Sequence, residues 1–112
     1  LTVIRSQGGA VSSATRGLFI AGGTTPNANT DVIDYVTIAT LGNAADFGDL
    51  TESTRGTCAV GSTTRGVRTG GYVTQTTMDY VQIATTSNAL DFGDLTTGLR
   101  QIAGLSNGHG GL

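Results

Sequence analysis

Two identical five-residue runs, DFGDL at Asp46 to Leu50 and again at Asp91 to Leu95, hold the residues most easily read as chemistry. In a protein kinase the aspartate of such a run holds magnesium, and it needs a glycine-rich loop, a strand lysine and a catalytic loop around it. All six basic residues here are arginine, so that lysine does not exist. Asp46 with Asp49, and Asp91 with Asp94, place two carboxylates three residues apart. Calcium takes about six to eight oxygens from a shaped loop, and no loop of alternating acidic ligands is present. Serine and threonine are plentiful, but a nucleophile needs a base, and the single histidine, His109, lies in the turn-like run NGHGG. Cys58 is alone, which excludes an internal disulfide or a cysteine metal cluster, and with no His or Lys beside it the thiol reads as a small buried group. The chain is therefore expected to carry no catalytic residue, metal or cofactor.

The bulk properties narrow the classes further. The 112 residues allow one domain. A hydrophobic fraction of 38% without charge runs argues for a folded chain. Its abundant Thr, Val, Ile and Gly suit strands and tight turns. A net charge of -2 with scattered arginines leaves no basic stripe for nucleic acid. The longest apolar run, Leu18 to Ala21, is far short of a membrane span. Because the chain opens on Leu1 rather than Met, it is expected to be a piece of something longer or a processed product.

The elements that position DFGDL are repeated with it. Asp34 to Leu50 matches Asp79 to Leu95 at all but four of seventeen positions, at an offset of 45. Upstream the offset is 49, between Arg16-Gly17 and Arg65-Gly66, because the loop TTPNANTD is longer than YVTQTT. AVSSATRGL (Ala10 to Leu18) matches AVGSTTRGV (Ala59 to Val67), and GLSNGHGGL (Gly104 to Leu112) falls in the equivalent place. Each unit reads as four strands. They are Gly17 to Gly23, Val32 to Thr40, Phe47 to Thr51 and Thr57 to Ser62, then Val67 to Gly71, Met78 to Thr85, Phe92 to Thr96 and Gln101 to Ser106. The long strand alternates Ile33, Tyr35, Thr37 against Val32, Asp34, Val36, so both faces are largely apolar and each sheet must be covered on both sides. Stacked four-stranded units of about 45 residues are the parts of a β-propeller.

The strands ending in Gly22-Gly23 and Gly70-Gly71, each followed by a tyrosine strand (Tyr35, Tyr80) and an aromatic (Phe47, Phe92), resemble the kelch repeat, with phenylalanine where kelch units carry tryptophan. The run IDYVTIATLGNAADFGDLT resembles tandem repeats in tail-fibre and structural proteins of bacteriophages, especially those of marine cyanobacteria. The resemblance implies an all-β, kelch-like propeller segment with four-stranded antiparallel blades. Residues 1–15 would end one blade, 16–62 and 65–107 would form two complete blades, and 108–112 would start another. It also implies a virion or extracellular setting and a non-enzymatic role. The implied partners are further copies of the repeat, in a longer chain or a homo-oligomer, and a host cell-surface receptor or glycan. Two other readings stay open: a propeller supporting an enzyme whose catalytic residues lie elsewhere, and an intracellular kelch-type adaptor.

Recurring residues most simply serve the repeat. On that reading Phe47 and Phe92 anchor the blades, and Asp46, Asp49, Asp91 and Asp94 cap tight turns. Arg16, Arg65, Arg55 and Arg100 pair with Asp34, Asp46 or their counterparts between blades. Recognition is then expected among polar residues that break the repeat, namely Asn27, Asn29, Arg68, Tyr72 and Gln75, with Glu52 and His109 also non-recurring. Tyr72 with Gln75 is the pairing best suited to a sugar, a flat ring beside an amide.

Overall fold

The structure is a computed structural model that describes residues 1–106. His109 and the expected start of a further unit at 108–112 lie outside the described residues. The described chain is all β, in two four-stranded antiparallel sheets. The first sheet contains β1 (Gly9–Ser12), β2 (Arg16–Thr24), β3 (Ala28–Thr37) and β4 (Ala45–Thr54), in that order. The second contains β5 (Cys58–Gly61), β6 (Arg65–Thr69), β7 (Thr77–Gln82) and β8 (Leu90–Asp94).

The grouping shifts the unit by one strand from the sequence expectation. Thr57 to Ser62 was expected to close the first unit, but Cys58 pairs with Thr69 and Gly61 with Gly66, so this strand opens the second sheet. Likewise Gly9–Ser12 is the first strand of the first sheet, not part of a preceding unit. Local chemistry sets the phase. Ser13 Oγ accepts the amides of Thr15 and Arg16, and Ser62 Oγ accepts those of Thr64 and Arg65, which fastens each short strand to the strand after it. At the other end Gly56, at φ 62°, redirects the chain as it leaves β4. Gln101 to Ser106, expected as a strand, forms no ladder among the described residues and lies against β5 beside Val60.

A second correction concerns DFGDL. Its aspartates were expected in tight turns, yet the first motif lies within β4 and the second supplies Asp91 to Asp94 of β8, with Asp46 opposite Asp34 and Asp49 opposite Val32. Phe47 is 3% exposed and meets Tyr35 edge to face at 5.9 Å, and Phe92 meets Tyr80 in the same way at 6.0 Å.

The sheets stack through one core. Leu18, Ile20, Ile33, Phe47 and Leu50 of the first sheet join Val81, Ile83 and Ala89 of the second. The sheets also approach closely at the short strands, where a Cβ on Gly66 would stand 2.7 Å from Val11 Cγ2 and one on Gly9 2.9 Å from Ala59 Cβ. Glycine at both positions lets the sheets meet at that distance.

A carboxylate with no solvent exposure lies in the middle of β3 and of β7. Asp79 is paired with Arg68, which is itself 1% exposed and also donates to the carbonyls of Gly70 and Thr77. Asp34 is paired with Arg5 at 2.9 Å. Burial pulls the Arg5 guanidinium below its ordinary value, and the charge of Asp34 opposes that shift. The arginines expected to make these pairs do something else: Arg16 lies over Tyr35 and Arg65 over Tyr80, each at 4.8 Å from the ring centroid. Removing one partner of a buried pair strands the other charge, at about 3–5 kcal/mol. Arg68→Met is therefore expected to lower unfolding free energy by that amount in urea titrations, while Arg68→Met combined with Asp79→Leu loses less than Arg68→Met alone.

Candidate functional site

The residues that break the repeat fall mainly at one end of the sheets. Three kinds of connection meet there: the β2–β3 turn through Asn27, the β6–β7 loop from Gly70 to Thr76, and the link from Arg55 to Thr57 that leaves β4. Ser6 and Gln7 on one side, and Arg100 and Gln101 on the other, take the places that Arg55 and Gly56 hold between the sheets.

Backbone bonds establish that equivalence. Tyr72 N–H donates to the Arg55 carbonyl at 2.8 Å, and Gly23 N–H donates to the Ser6 carbonyl at 2.7 Å. Tyr72 therefore stands where Gly23 stands in the first sheet. The Gly70-Gly71 pair corresponds to Ala21-Gly22 rather than to Gly22-Gly23, with φ of 64° and 150° against 55° and 128°. The sequence pairing of these glycines was out by one residue. Identical letters had outweighed the backbone conformation that demands them.

A relay crosses the same end. Gly56 N–H donates to the Gln7 carbonyl, and Gln101 N–H donates to the Gly56 carbonyl, both at 2.8 Å. All three residues are left-handed, with φ of 59°, 62° and 54° for Gln7, Gly56 and Gln101. Two glutamines thus accept a conformation that L-residues seldom adopt, a form of local strain concentrated at this end.

Beside the relay, two guanidiniums meet one ring. Arg55 Cζ lies 4.2 Å from the Tyr72 centroid and Arg100 Cζ 5.6 Å from it. A cavity of about 130 Å³ opens there, lined by Gln7, Arg55, Gly56, Tyr72, Arg100 and Gln101. Arg55 is held in place by Nη1, which donates to the Asn27 carbonyl at 2.6 Å. A second cleft of about 290 Å³ shares Gln7 and Arg55 and extends over Thr24, Thr25, Pro26 and Asn27.

The structure sorts the sequence candidates. Tyr72 and Asn27 come together through Arg55. Gln75 lies on the same loop as Tyr72, but its Nε2 donates to Glu52 at 2.9 Å while its Oε1 is buried without a partner. The expected platform of Tyr72 and Gln75 is therefore not assembled: the amide is turned to Glu52 and the ring lies under Arg55. Asn29 sits in β3 with Oδ1 buried and unpartnered. Arg68 is withdrawn from the ligand candidates, because it is buried against Asp79. Arg55 and Arg100, first read as repeat structure, are the additions, together with Gln7 and Gln101. The tripeptides Arg55-Gly56-Thr57 and Arg100-Gln101-Ile102 were the available signal, since each stands at a unit junction.

Among the described residues no group of three His, Cys, Asp or Glu side chains could hold a metal ion. Compared with models of known protein families and with curated protein sequences, the chain matches none.

The ring of Tyr72 rather than its hydroxyl is what the arginines hold. Tyr72→Phe is expected to leave stability unchanged, whereas Tyr72→Ala lowers it by about 0.5–1 kcal/mol through the lost cation–π contact, measured by urea denaturation.

Proposed function

We propose that this chain is a segment of a kelch-like β-propeller, serving as a non-enzymatic structural and recognition module in a surface-exposed fibre such as a phage tail fibre. The observation that carries the propeller reading is a junction filled between the two sheets and left open beyond the second. At the filled junction the loop before β8 docks on β4. Ala89 N–H donates to the Asp49 carbonyl at 2.8 Å, Asp49 N–H donates to Asn88 Oδ1 at 3.1 Å, and the Ser87 carbonyl lies where a Cβ on Gly48 would be. In the second sheet Gly93 has a similar backbone φ to Gly48, yet nothing among the described residues lies within 4 Å of its Cβ position.

Exposure follows the same rule. Phe47 is 3% exposed and its counterpart Phe92 48%. Ile83 is fully buried while Ile38 is 57% exposed. Identical residues at matching positions differ because, among the described residues, one faces a neighbouring sheet and the other does not. A further repeat, with its own Asn-Ala loop and strand aspartate, is the partner whose chemistry fits the open face. The recognition role draws on the resemblance to tail-fibre repeats and on the variable loops gathered at one end.

Gly48 and Gly93 offer a controlled comparison, since strain from positive φ is common to both. Gly48→Ala is expected to cost about 1–3 kcal/mol more than Gly93→Ala, from overpacking against the docked loop. In a chain extended by one more copy of residues 57–101, Gly93→Ala should become as costly as Gly48→Ala. Equal costs in the unextended chain would sink the stacked-repeat reading. For recognition, the labelled protein should bind bacterial cells, and Gly-Ser replacement of residues 24–28 and 72–76 should abolish binding while the β-sheet circular dichroism spectrum is kept. Cell binding that survives both replacements removes the loops from the role.

A further inference from the structure

We propose that the cleft between Arg55, Tyr72 and Arg100 binds a carboxylate carried on a sugar ring. The inference rests on the recognition role proposed above and names its ligand chemistry.

Charge is the first support. Arg5 and Arg68 are neutralised by buried aspartates. Arg16 and Arg65 are laid along the tyrosines of their own sheets. Arg55 and Arg100 have no carboxylate partner among the described residues, yet both converge on Tyr72. Two cations gathered on one ring without counter-charge leave a site that an anion completes.

Shape is the second. A guanidinium presents its N–H groups in a planar fork that matches the two oxygens of a carboxylate. Arg55 is pre-set by its bond to Asn27, and Arg100 is exposed. Gln7 and Gln101 are also exposed and line the same cleft. Their backbones are held by the relay, and neither side-chain amide has an internal partner among the described residues. Two amides can each donate and accept, which is what sugar hydroxyls require. With about 130 Å³, the cleft has room for an anionic group and the ring edge that bears it.

Position is the third. Gly23 occupies the place of Tyr72 in the first sheet, so the cleft at the matching junction, lined by Ser6, Gln7, Gly23 and Arg55, has no ring on which two guanidiniums converge. The site belongs to the departure from the repeat, where a ligand-specific feature is free to exist.

The test is a titration of the whole chain followed by amide and arginine Nε–H NMR signals, using galacturonate, galactose and inorganic phosphate at matched ionic strength. Galacturonate is expected to shift the Tyr72 and Gln101 amides and the Arg55 and Arg100 Nε–H signals. It should bind about tenfold more tightly than galactose, the worth of one charge-assisted pair. Added salt should weaken it. Arg100→Gln should remove that preference, and Arg100→Lys, which keeps the charge without the fork, should restore it only in part. An unchanged amide spectrum elsewhere in each variant shows that the fold is kept. Galacturonate binding no tighter than galactose overturns the proposal. So does phosphate binding as tightly as galacturonate, which would mark a simple anion site, or full retention in Arg100→Gln. If cells are bound through the loops but galacturonate is not, only this inference falls. If galacturonate is bound and cells are not, the recognition reading falls instead.

Discussion

A carboxylate removed from water at the centre of each sheet is the constraint around which the remaining contacts are arranged. An unpaired charge at such a place is untenable, so Asp34 and Asp79 each require a cation and further hydrogen bonds. Part of that supply comes from outside the sheet. Thr51, at the end of the first sheet, donates to Asp79 Oδ1 at 2.5 Å, and Thr2 donates to Asp34 Oδ1 at 2.6 Å. Thr2 and Thr51 each follow a leucine, and Leu95-Thr96 repeats the pattern a third time. Each sheet thus presents an aspartate that the preceding segment satisfies. Stacking is thereby directional as well as hydrophobic.

The cation arrives by two routes. In the second sheet it is Arg68, on the strand paired with Asp79. At the equivalent place in the first sheet stands Phe19, and the cation is Arg5, from the preceding segment, where the second junction has the buried Thr54. The two substitutions go together: a threonine behind the second sheet accompanies a buried arginine on β6, and an arginine behind the first accompanies the half-exposed Phe19 on β2. Both solutions keep one positive charge beside the aspartate. Two repeats in one chain therefore show that the buried charge is the fixed element and its counter-ion the adjustable one.

This exchange also explains what the sequence reveals and what it hides. The all-β class and the four strands per unit were legible, because the repeated run is long and strands alternate with period two. The phase was not. A repeating pattern has no intrinsic first strand, and only the Ser13 and Ser62 turns, with the left-handed residue after β4, decide which hairpins form. Arg68 was read as a free polar residue because it recurs nowhere, whereas its lack of recurrence reflects the alternate route of the counter-ion. The junction arginines were read as ion-pair partners because sequence shows which charges recur but not which ones are buried together.

The same reasoning locates variability. A position fixed by two neighbouring sheets answers to both at once: Gly48 must admit the Ser87 carbonyl, and Asp49 must meet Asn88 and Ala89. Such residues recur because a change on one side demands a change on the other. The end carrying Asn27, Tyr72, Arg55 and Arg100 answers to less. The relay through Gln7, Gly56 and Gln101 uses only backbone groups, so its side chains are released from the junction and free to differ. That gives the fold a division of labour with a physical origin. At this end the backbone relay holds whatever side chains Gln7 and Gln101 carry, so those positions are where chemistry can change with least effect on the stack.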